Sequence, residues 1–463
     1  MTQPYLISED TLRRFDKPGP RYTSYPTAIE FHSGVGEADY RRHLREANAA
    51  GREAPISLYG HLPFCEHRCL FCGCHVVITP QRDVAQQYLD YVQREINLVA
   101  AALPGRRSVA QMQWGGGTPT YYTPRQLATL FRHVSDRFHF LSDAEIAIEV
   151  DPRVTTSDHL ETLTELGFNR LSLGVQDLTP EVQRVITRDQ TLEQTRSLIE
   201  TARKVGFSEG INIDLIYGLP KQELAAFTQN LQEVIALRPE RVAVYSFAYV
   251  PWIRGHQKKI DSSDLPSADL KLKLYLRAME EFLAAGYEPI GMDHFALPDD
   301  ELAVAARQRR LHRNFMGYTV KPASDMLAFG ISGIGDVHRG YFQNAKKLSH
   351  YYRALDDGRL PVQRGYILDE DDRIRRYVIT QLMCNFYLEK ADVNERFGID
   401  FDRYFARSLD GLAEPASEGF VEITDGALTV TDAGRLFVRN VCMAFDRYLE
   451  AKTGDKPMFS RTV

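Results

Sequence analysis

The sequence predicts an α/β protein: an incomplete parallel barrel of six strand–helix units, with an amino-terminal arm before it and a mostly helical, winged-helix-like module after it. Three observations predict this. Six short apolar runs alternate with amphipathic helical stretches at a spacing of roughly 30 residues, the rhythm of βα units in a parallel sheet. Residues that carry chemistry gather just after those runs, where such sheets collect their active sites. Beyond about residue 360 the pattern changes to helices and one hairpin.

Taken in order, residues 1–52 form the expected arm, opening with MTQPYLISEDTLRRF, which holds acids and no apolar run. A catalytic region is expected over 53–360. Its first strand is read at Ile56–Tyr59, followed by a helix from Asp83 to Leu98 with Val84, Tyr88, Val92 and Ile96 on one face and Asp83 as N-cap. The second strand, Ala110–Trp114, leads to a helix that begins at Thr123-Pro124, a cap followed by proline at the first helical position. Strands three to six are read at Ile146–Val150, Arg170–Gly174, Ile211–Ile216 and Val242–Phe247. The last module, 361–463, contains "DEDDRIRRYVITQLMCNFYLEKADVNERFG", two helices and a turn, then a hairpin around Asp425-Gly426 and a further helix.

Composition excludes several classes. A chain of 463 residues exceeds one ordinary core and has room for an enzyme with appendages. No run of about 18 uncharged apolar residues occurs, so membrane spanning and secretion are not expected, and a cytoplasmic location is. The net charge of −6 argues against a nucleic-acid partner. Winged helices often bind DNA, but residues 369–450 hold 17 acids and 10 bases, a net of −7, so a lid or wall over a substrate cavity is the expected role. Six cysteines are too few to staple the chain; Cys384 and Cys442 lie alone in apolar helical stretches, where inert buried thiols are usual.

The other four, Cys65, Cys69, Cys72 and Cys74, crowd into "HLPFCEHRCLFCGCHV" after the first strand. A structural zinc site wraps its ion with two ligand pairs separated by a longer loop. Here three thiolates spaced C-x3-C-x2-C suit three corners of a 4Fe-4S cube, leaving the fourth iron without a protein ligand. An open iron beside a glycine-rich strand end, here "GGGTPT" (Gly115–Thr120), is what chelation of the amino and carboxylate groups of S-adenosylmethionine requires. The remaining strand ends offer Glu149, Gln176, Asp214 and the stretch from Tyr245 to Ala248. Any one of these also reads as a loop requirement or helix cap; their position on one rim favours a shared site. Phe71 packs either an adenine edge or the barrel rim.

The cysteine spacing is similar to the cluster motif of the radical S-adenosylmethionine superfamily. "GPRYTSYPTA" (Gly19–Ala28), "CEHRCLFCGCH", "WGGGTPT", "DLIYGLP" and "HRNFMGYT" (His312–Thr319) together resemble the oxygen-independent coproporphyrinogen III oxidase family. The resemblance runs from about residue 19 into the 340s. It implies one 4Fe-4S cluster on Cys65, Cys69 and Cys72, with Cys74 and Tyr59 important for catalysis but Cys74 not a ligand. It implies two S-adenosylmethionine molecules: Tyr59, Phe71, Gly116, Glu149 and, less securely aligned, Ile334 fall where the cluster-bound molecule is held; Gly117, Thr118, Gln176, Arg188, Asp214 and Ala248 fall where the second is held. Arg188 also fits an ordinary solvated helix face with Arg184. The reaction implied is oxidative decarboxylation of two propionates of coproporphyrinogen III to vinyl groups, giving protoporphyrinogen IX in haem synthesis, by a 5'-deoxyadenosyl radical.

Four substrate carboxylates need local cations, and guanidinium groups bond them as a bidentate fork. Arg21, Arg310 and Arg313 are the candidates, although "RQRRLHR" also reads as a solvated helix face. Tyr22, Tyr25 and Phe15 either lie against the tetrapyrrole or dock the arm. An unidentified electron donor and acceptor are implied, and a monomer is expected. His294 and His338 read as packing or surface histidines. Two rivals remain: a radical-enzyme relative that transports or degrades haem, disfavoured by Cys74 and the "RYTSYPT" arm, and a non-enzymatic cysteine-rich metal or iron–sulfur module.

Overall fold

The computed structural model describes residues 9–51, 54–207, 210–449 and 459–461. The expected boundary between arm and catalytic region, at 52/53, lies outside the described residues.

All six expected strands form, the first five longer than their apolar runs and the sixth shifted by one residue: β1 (Ile56–Leu62), β2 (Ser108–Gly116), β3 (His139–Val150), β4 (Arg170–Gln176), β5 (Ile211–Tyr217) and β6 (Arg241–Ser246). They lie side by side in chain order and are all parallel. That is the partial barrel. It is larger than the sequence suggested, because six more strands extend the sheet: β7 (Glu288–Ile290), β8 (His294–Ala296), β9 (Asp325–Phe329), β10 (Ile334–Val337), β11 (Gly340–Asn344) and β12 (Val362–Ile367). The order is β12-β11-β10-β9-β1-β2-β3-β4-β5-β6-β8-β7. β9 pairs in parallel with β1, Tyr59 opposite Ala328, and so is a seventh parallel strand. The others are antiparallel, and β12 carries the sheet beyond residue 360.

The alternation of β1 explains its two faces. Ile56, Leu58 and Leu62 are buried in the main core, while Ser57, Tyr59 and His61 point the other way, into the barrel. Helix α1 (Asp83–Ala102) covers the outer face with Tyr88, Val92 and Ile96, the predicted stripe. Its N-cap is Arg82 rather than Asp83, which sits in the first turn, where a carboxylate still favours the helix dipole. Helix α2 (Pro124–Ser135) starts as expected: Thr123 accepts from the Gln126 N–H at 3.3 Å and Pro124 follows.

The C-terminal module has its own core, around Val378, Leu382, Phe401, Phe405 and Phe445. Its long helix, α3 (Glu370–Asn385), leads to a small antiparallel sheet of Tyr387–Glu389, Ala427–Val430 and Val421–Ile423, with the hairpin turn at Asp425-Gly426 as read. The arm is bound to this module. Phe15 packs on Phe420 and Phe437, Tyr22 donates to Asp446 Oδ2 at 3.0 Å, and the buried Arg439 guanidinium donates to the Gly19 and Pro20 carbonyls. Tyr22, Tyr25 and Phe15 are each 7% exposed or less and help dock the arm, while Tyr22 and Tyr25 also line the cavity described below. Among the described residues no helix is long and apolar enough to cross a membrane.

Candidate active site

The cysteine segment follows β1 and closes over the carboxyl ends of the parallel strands. Two short stretches, Phe64–Cys65 and Val77–Ile78, pair in parallel and close its base, while Leu70 N–H bonds the Ile186 carbonyl at 2.9 Å. Cys65, Cys69 and Cys72 are free thiols in that loop. Thr118 Oγ1 lies 3.3 Å from Cys65 Sγ, and Arg153 and Arg188 aim guanidinium nitrogens at Cys69 Sγ from 3.8 and 3.9 Å. Burial pushes the Cys65 thiol up to about 12. The Cys74 thiol and its N–H, which reaches Cys72 Sγ at 3.4 Å, hold Cys72 below its ordinary value. Among the described residues no three His, Cys, Asp or Glu side chains converge as ligands of one metal ion. Cys65, Cys69 and Cys72 thus stand as three separate free thiols on a single loop.

The glycine run that ends β2 is required by close packing. A Cβ on Gly115 would lie 2.6 Å from the Glu149 carboxyl, one on Gly116 would lie 2.3 Å from the His61 ring, and one on Gly117 would lie 2.5 Å from the Pro63 backbone. Gly116 also sits at φ +109°, in the glycine region. The gain is proximity: Gly116 N–H donates to Glu149 Oε2 at 3.0 Å and Gln113 Nε2 to Oε1 at 3.1 Å. Burial pushes Glu149 up to about 7, with no Lys or Arg paired to it among the described residues.

Tyr59 faces the same space. Its hydroxyl lies 3.1 Å from His61 Nδ1, and His61 Nε2 lies 2.8 Å from the His75 carbonyl. A carbonyl only accepts, so Nε2 carries the proton and Nδ1 accepts from Tyr59. Burial lowers His61 to about 4, keeping the imidazole neutral and the tautomer fixed. The sequence reading missed His61; its signal was its place two residues beyond Tyr59 on the same strand face.

On the far strands, Gln176 stands at φ +63°, buried, its Oε1 without a partner among the described residues. Arg188 is buried, not on a solvated face, and donates to Gln190 Oε1 at 2.8 Å and Asp151 Oδ1 at 3.4 Å. Asp214 accepts from Asn212 Nδ2 at 2.9 Å and Ser172 Oγ at 3.2 Å; burial raises it. Ala248 and Phe71 are tied together, since Gln257 Nε2 donates to the carbonyl of each, at 3.1 and 3.4 Å. The Phe71 ring packs on the rim cluster of Leu70, Ile216 and Phe247. Ile334, at the start of β10, packs against the cluster of Phe31 and Tyr341.

A cavity of about 820 Å³ opens on the same inner face, reaching Ser57, two residues before Tyr59 on β1. Its walls are the arm, the 309–326 segment and α3, and arginines line it from several elements: Arg310, Arg313, Arg339, Arg373 and Arg376. Arg376 is paired with Asp336 and Arg373 with Glu370, whereas Arg339 has no ion pair and Arg313 keeps a buried Nε without a partner among the described residues. Of the three arginines proposed from the sequence, Arg313 and Arg310 line this cavity. Arg21 is not a lining residue; one of its guanidinium nitrogens donates to the Ser246 carbonyl at 2.8 Å, and its own backbone carbonyl accepts from Arg313 at 3.1 Å.

The model of the Radical SAM superfamily matches residues 59–232, and that of the HemN C-terminal domain matches residues 368–437. The chain is 44% identical over 456 residues to the oxygen-independent coproporphyrinogen III oxidase of Pseudomonas aeruginosa, covering 98% of each chain. It is 45% identical over 452 residues to the Escherichia coli enzyme of the same name, covering 98% of this chain and 97% of that one. Among solved structures, the coproporphyrinogen III oxidase (HemN) of Escherichia coli, described as a radical SAM enzyme, superposes with a TM-score of 0.89 at 45% identity, over 92% of this chain and 97% of that chain.

Proposed function

The chain belongs to the oxygen-independent coproporphyrinogen III oxidase family of radical S-adenosylmethionine enzymes, and from that premise we propose that it converts two propionates of coproporphyrinogen III to vinyl groups, giving protoporphyrinogen IX. The observation that carries this reading is three free thiols on one loop over a parallel-strand mouth, with a half-buried carboxylate beside them at Glu149 that has no ion pair among the described residues.

Cys65, Cys69 and Cys72 would hold a 4Fe-4S cluster, and Glu149, with the Gly116 backbone, would meet the ammonium of the S-adenosylmethionine bound to it. When bound, these groups would supply a 5'-deoxyadenosyl radical able to take a hydrogen from the propionate methylene beta to the carboxylate, so that loss of carbon dioxide and of one electron to an acceptor leaves the vinyl double bond. The residues of the chain work by placement. Gly115 to Gly117 let the strand end approach the cofactor without side-chain bulk. Gln176, its Oε1 without a partner among the described residues, together with Arg188 and Asp214, offers both donors and acceptors for a second S-adenosylmethionine. Tyr59, fixed by neutral His61, presents a defined hydroxyl to the reacting side chain. Arg313 and Arg310 supply the charge that four carboxylates need inside an acidic chain, in a cavity that reaches the strand carrying Tyr59. Holding the propionate within van der Waals reach of the radical, away from water, is the part of the barrier that the protein removes.

The C-terminal module, from about residue 361, closes one wall of this cavity through α3, and a monomeric cytoplasmic enzyme is the working picture. The test is anaerobic rebuilding of the cluster, then dithionite, S-adenosylmethionine and coproporphyrinogen III. Mass spectrometry should find 5'-deoxyadenosine and the divinyl product. An iron centre with four protein ligands and no S-adenosylmethionine cleavage would end the proposal; cleavage with haem opened and no vinyl product would favour a haem-handling relative.

A further inference from the structure

Ile253 and Trp252 are the two most exposed large apolar residues among those described, at 57% and 48%. They stand side by side on the loop after β6 whose inner side is fastened to the cysteine loop. Buried Gln257 accepts from Val250 N–H at 2.7 Å and donates to the Ala248 and Phe71 carbonyls at 3.1 and 3.4 Å. His256 Nε2 donates to the Cys72 carbonyl at 2.9 Å. Phe247 and Ile260 pack beneath, with Leu70. An exposed apolar pair is thus held on a rigid loop, one hydrogen bond from the backbone of a proposed cluster ligand.

Cations share this loop and the cysteine loop it is fastened to. Arg68 of the cysteine loop, Arg254 and Lys259 all bear on His256, and Lys258 adjoins them. None of these four makes an ion pair among the described residues, although the chain as a whole is acidic at −6. The acids nearby are engaged elsewhere: Glu66 with Arg82, Asp264 with Lys221, and Asp261 capping Ser263 N–H at 2.9 Å. Single exposed apolar residues are ordinary. Two adjacent ones, an aromatic included, with a rim of unneutralised cations match a protein interface whose charge steers the encounter.

We propose that the loop 250–259, with Arg68, is the docking surface for a small acidic protein carrying a one-electron flavin or iron–sulfur centre, which delivers the electron the cluster consumes. This rests on the cluster assignment at Cys65, Cys69 and Cys72. One electron leaves the carrier's reduced centre and enters the cluster; no bond is made or broken at the surface. Encounters of this kind are small and sensitive to salt.

The test uses rebuilt holoenzyme and an FMN-carrying flavodoxin as the acidic probe, with binding followed by fluorescence anisotropy. Wild-type binding should weaken at least about tenfold between roughly 50 and 300 mM salt. The double variants Lys258→Glu/Lys259→Glu and Trp252→Ser/Ile253→Ser should each weaken binding at least about tenfold and slow flavodoxin-driven 5'-deoxyadenosine formation by a similar factor. Dithionite-driven formation should stay within about twofold. Undiminished probe binding in both variants overturns the proposal. So does an equal loss with either reductant, which would make the loop a mere support of the cluster, and so does a wild-type dimer that the variants dissolve, which would make the patch a contact between copies. If dithionite-driven wild-type enzyme makes no vinyl product, the substrate reading fails; the binding curves still decide the docking surface.

Discussion

Two carboxyl groups, one behind the sheet and one at its mouth, start from the same physics and end with different work. Burial pushes both Glu95, on α1, and Glu149, at the end of β3, up to about 7. Glu95 is fully enclosed and accepts three bonds from the protein: Gly330 N–H at 2.8 Å, Asn344 Nδ2 at 2.6 Å and Tyr351 OH at 2.6 Å. Glu149 is half-buried and, among the described residues, accepts only two and has no cation. A carboxyl with its lone pairs engaged acts as a strut, here fixing the end of β9 to helix and hairpin. One with acceptor capacity left over, facing the strand mouth, has room for a cationic ligand. The difference lies in saturation, since the pKa does not distinguish them.

The largest expected effect tests the strut. Glu95→Leu strands three buried donors and should destabilise the protein by about 3–5 kcal/mol in anaerobic urea unfolding. S-adenosylmethionine affinity in the folded fraction should stay within about twofold. A loss under about 1 kcal/mol would mean that the three bonds do not hold the sheet together.

Next comes the pH dependence. The unfolded chain releases the Glu95 proton near the ordinary value of 4.5, whereas the folded protein keeps it to about 7. Between those values the folded state binds more protons, so stability falls as pH rises and is greatest below 4.5 as far as this group is concerned. The limit for one such group is about 3 kcal/mol. Glu95→Gln should therefore lose less stability between pH 5 and pH 8 than wild type, by about 2–3 kcal/mol. Parallel curves would show that Glu95 ionises as easily folded as unfolded.

Glu149→Gln should do the reverse of Glu95→Leu: stability within about 1 kcal/mol of wild type, and S-adenosylmethionine binding weaker by about 10–100-fold, the worth of one charge-assisted bond. Titration calorimetry on rebuilt enzyme measures it. Unchanged affinity would remove Glu149 from the cofactor site and leave it a strut like Glu95.

Why the sequence showed one of these residues and hid the other is a matter of placement. Glu149 ends a clean apolar strand, so its position on the rim can be counted out from periodicity. Glu95 lies within the helix from Asp83, where a lone acid reads as solvent-facing, and its three donors come from residues 330 to 351, which no local pattern joins to it. The six parallel strands were legible because their short apolar runs alternate with amphipathic helical stretches at a steady spacing. β9 (DMLAF) was not, since its five-residue run stands outside that rhythm, about 80 residues beyond β6. The β10–β11 hairpin turns at His338-Arg339, both left-handed at φ +43° and +69°, where Asn-Gly would have announced it. The cysteine loop was plain because its thiols are crowded in the chain. The arginine-lined cavity was only half visible, since Arg339 and Arg373 reach it from a hairpin tip and a helix far from Arg313.

The smallest expected effect is the sharpest on the comparison. Tyr351→Phe removes one of the three donors to Glu95 and nothing else, since the ring stays buried against Tyr88. A strut held by three bonds should survive the loss of one, at a cost of about 1 kcal/mol. The missing donor also stabilised the ionised carboxylate, so Glu95 should titrate still higher and the decline in stability should extend further up the pH scale than in wild type. Equilibrium unfolding at several pH values reads both. If Tyr351→Phe instead weakened S-adenosylmethionine binding, Glu95 and its partners would belong to the mouth after all, and enclosure would have ceased to separate support from site.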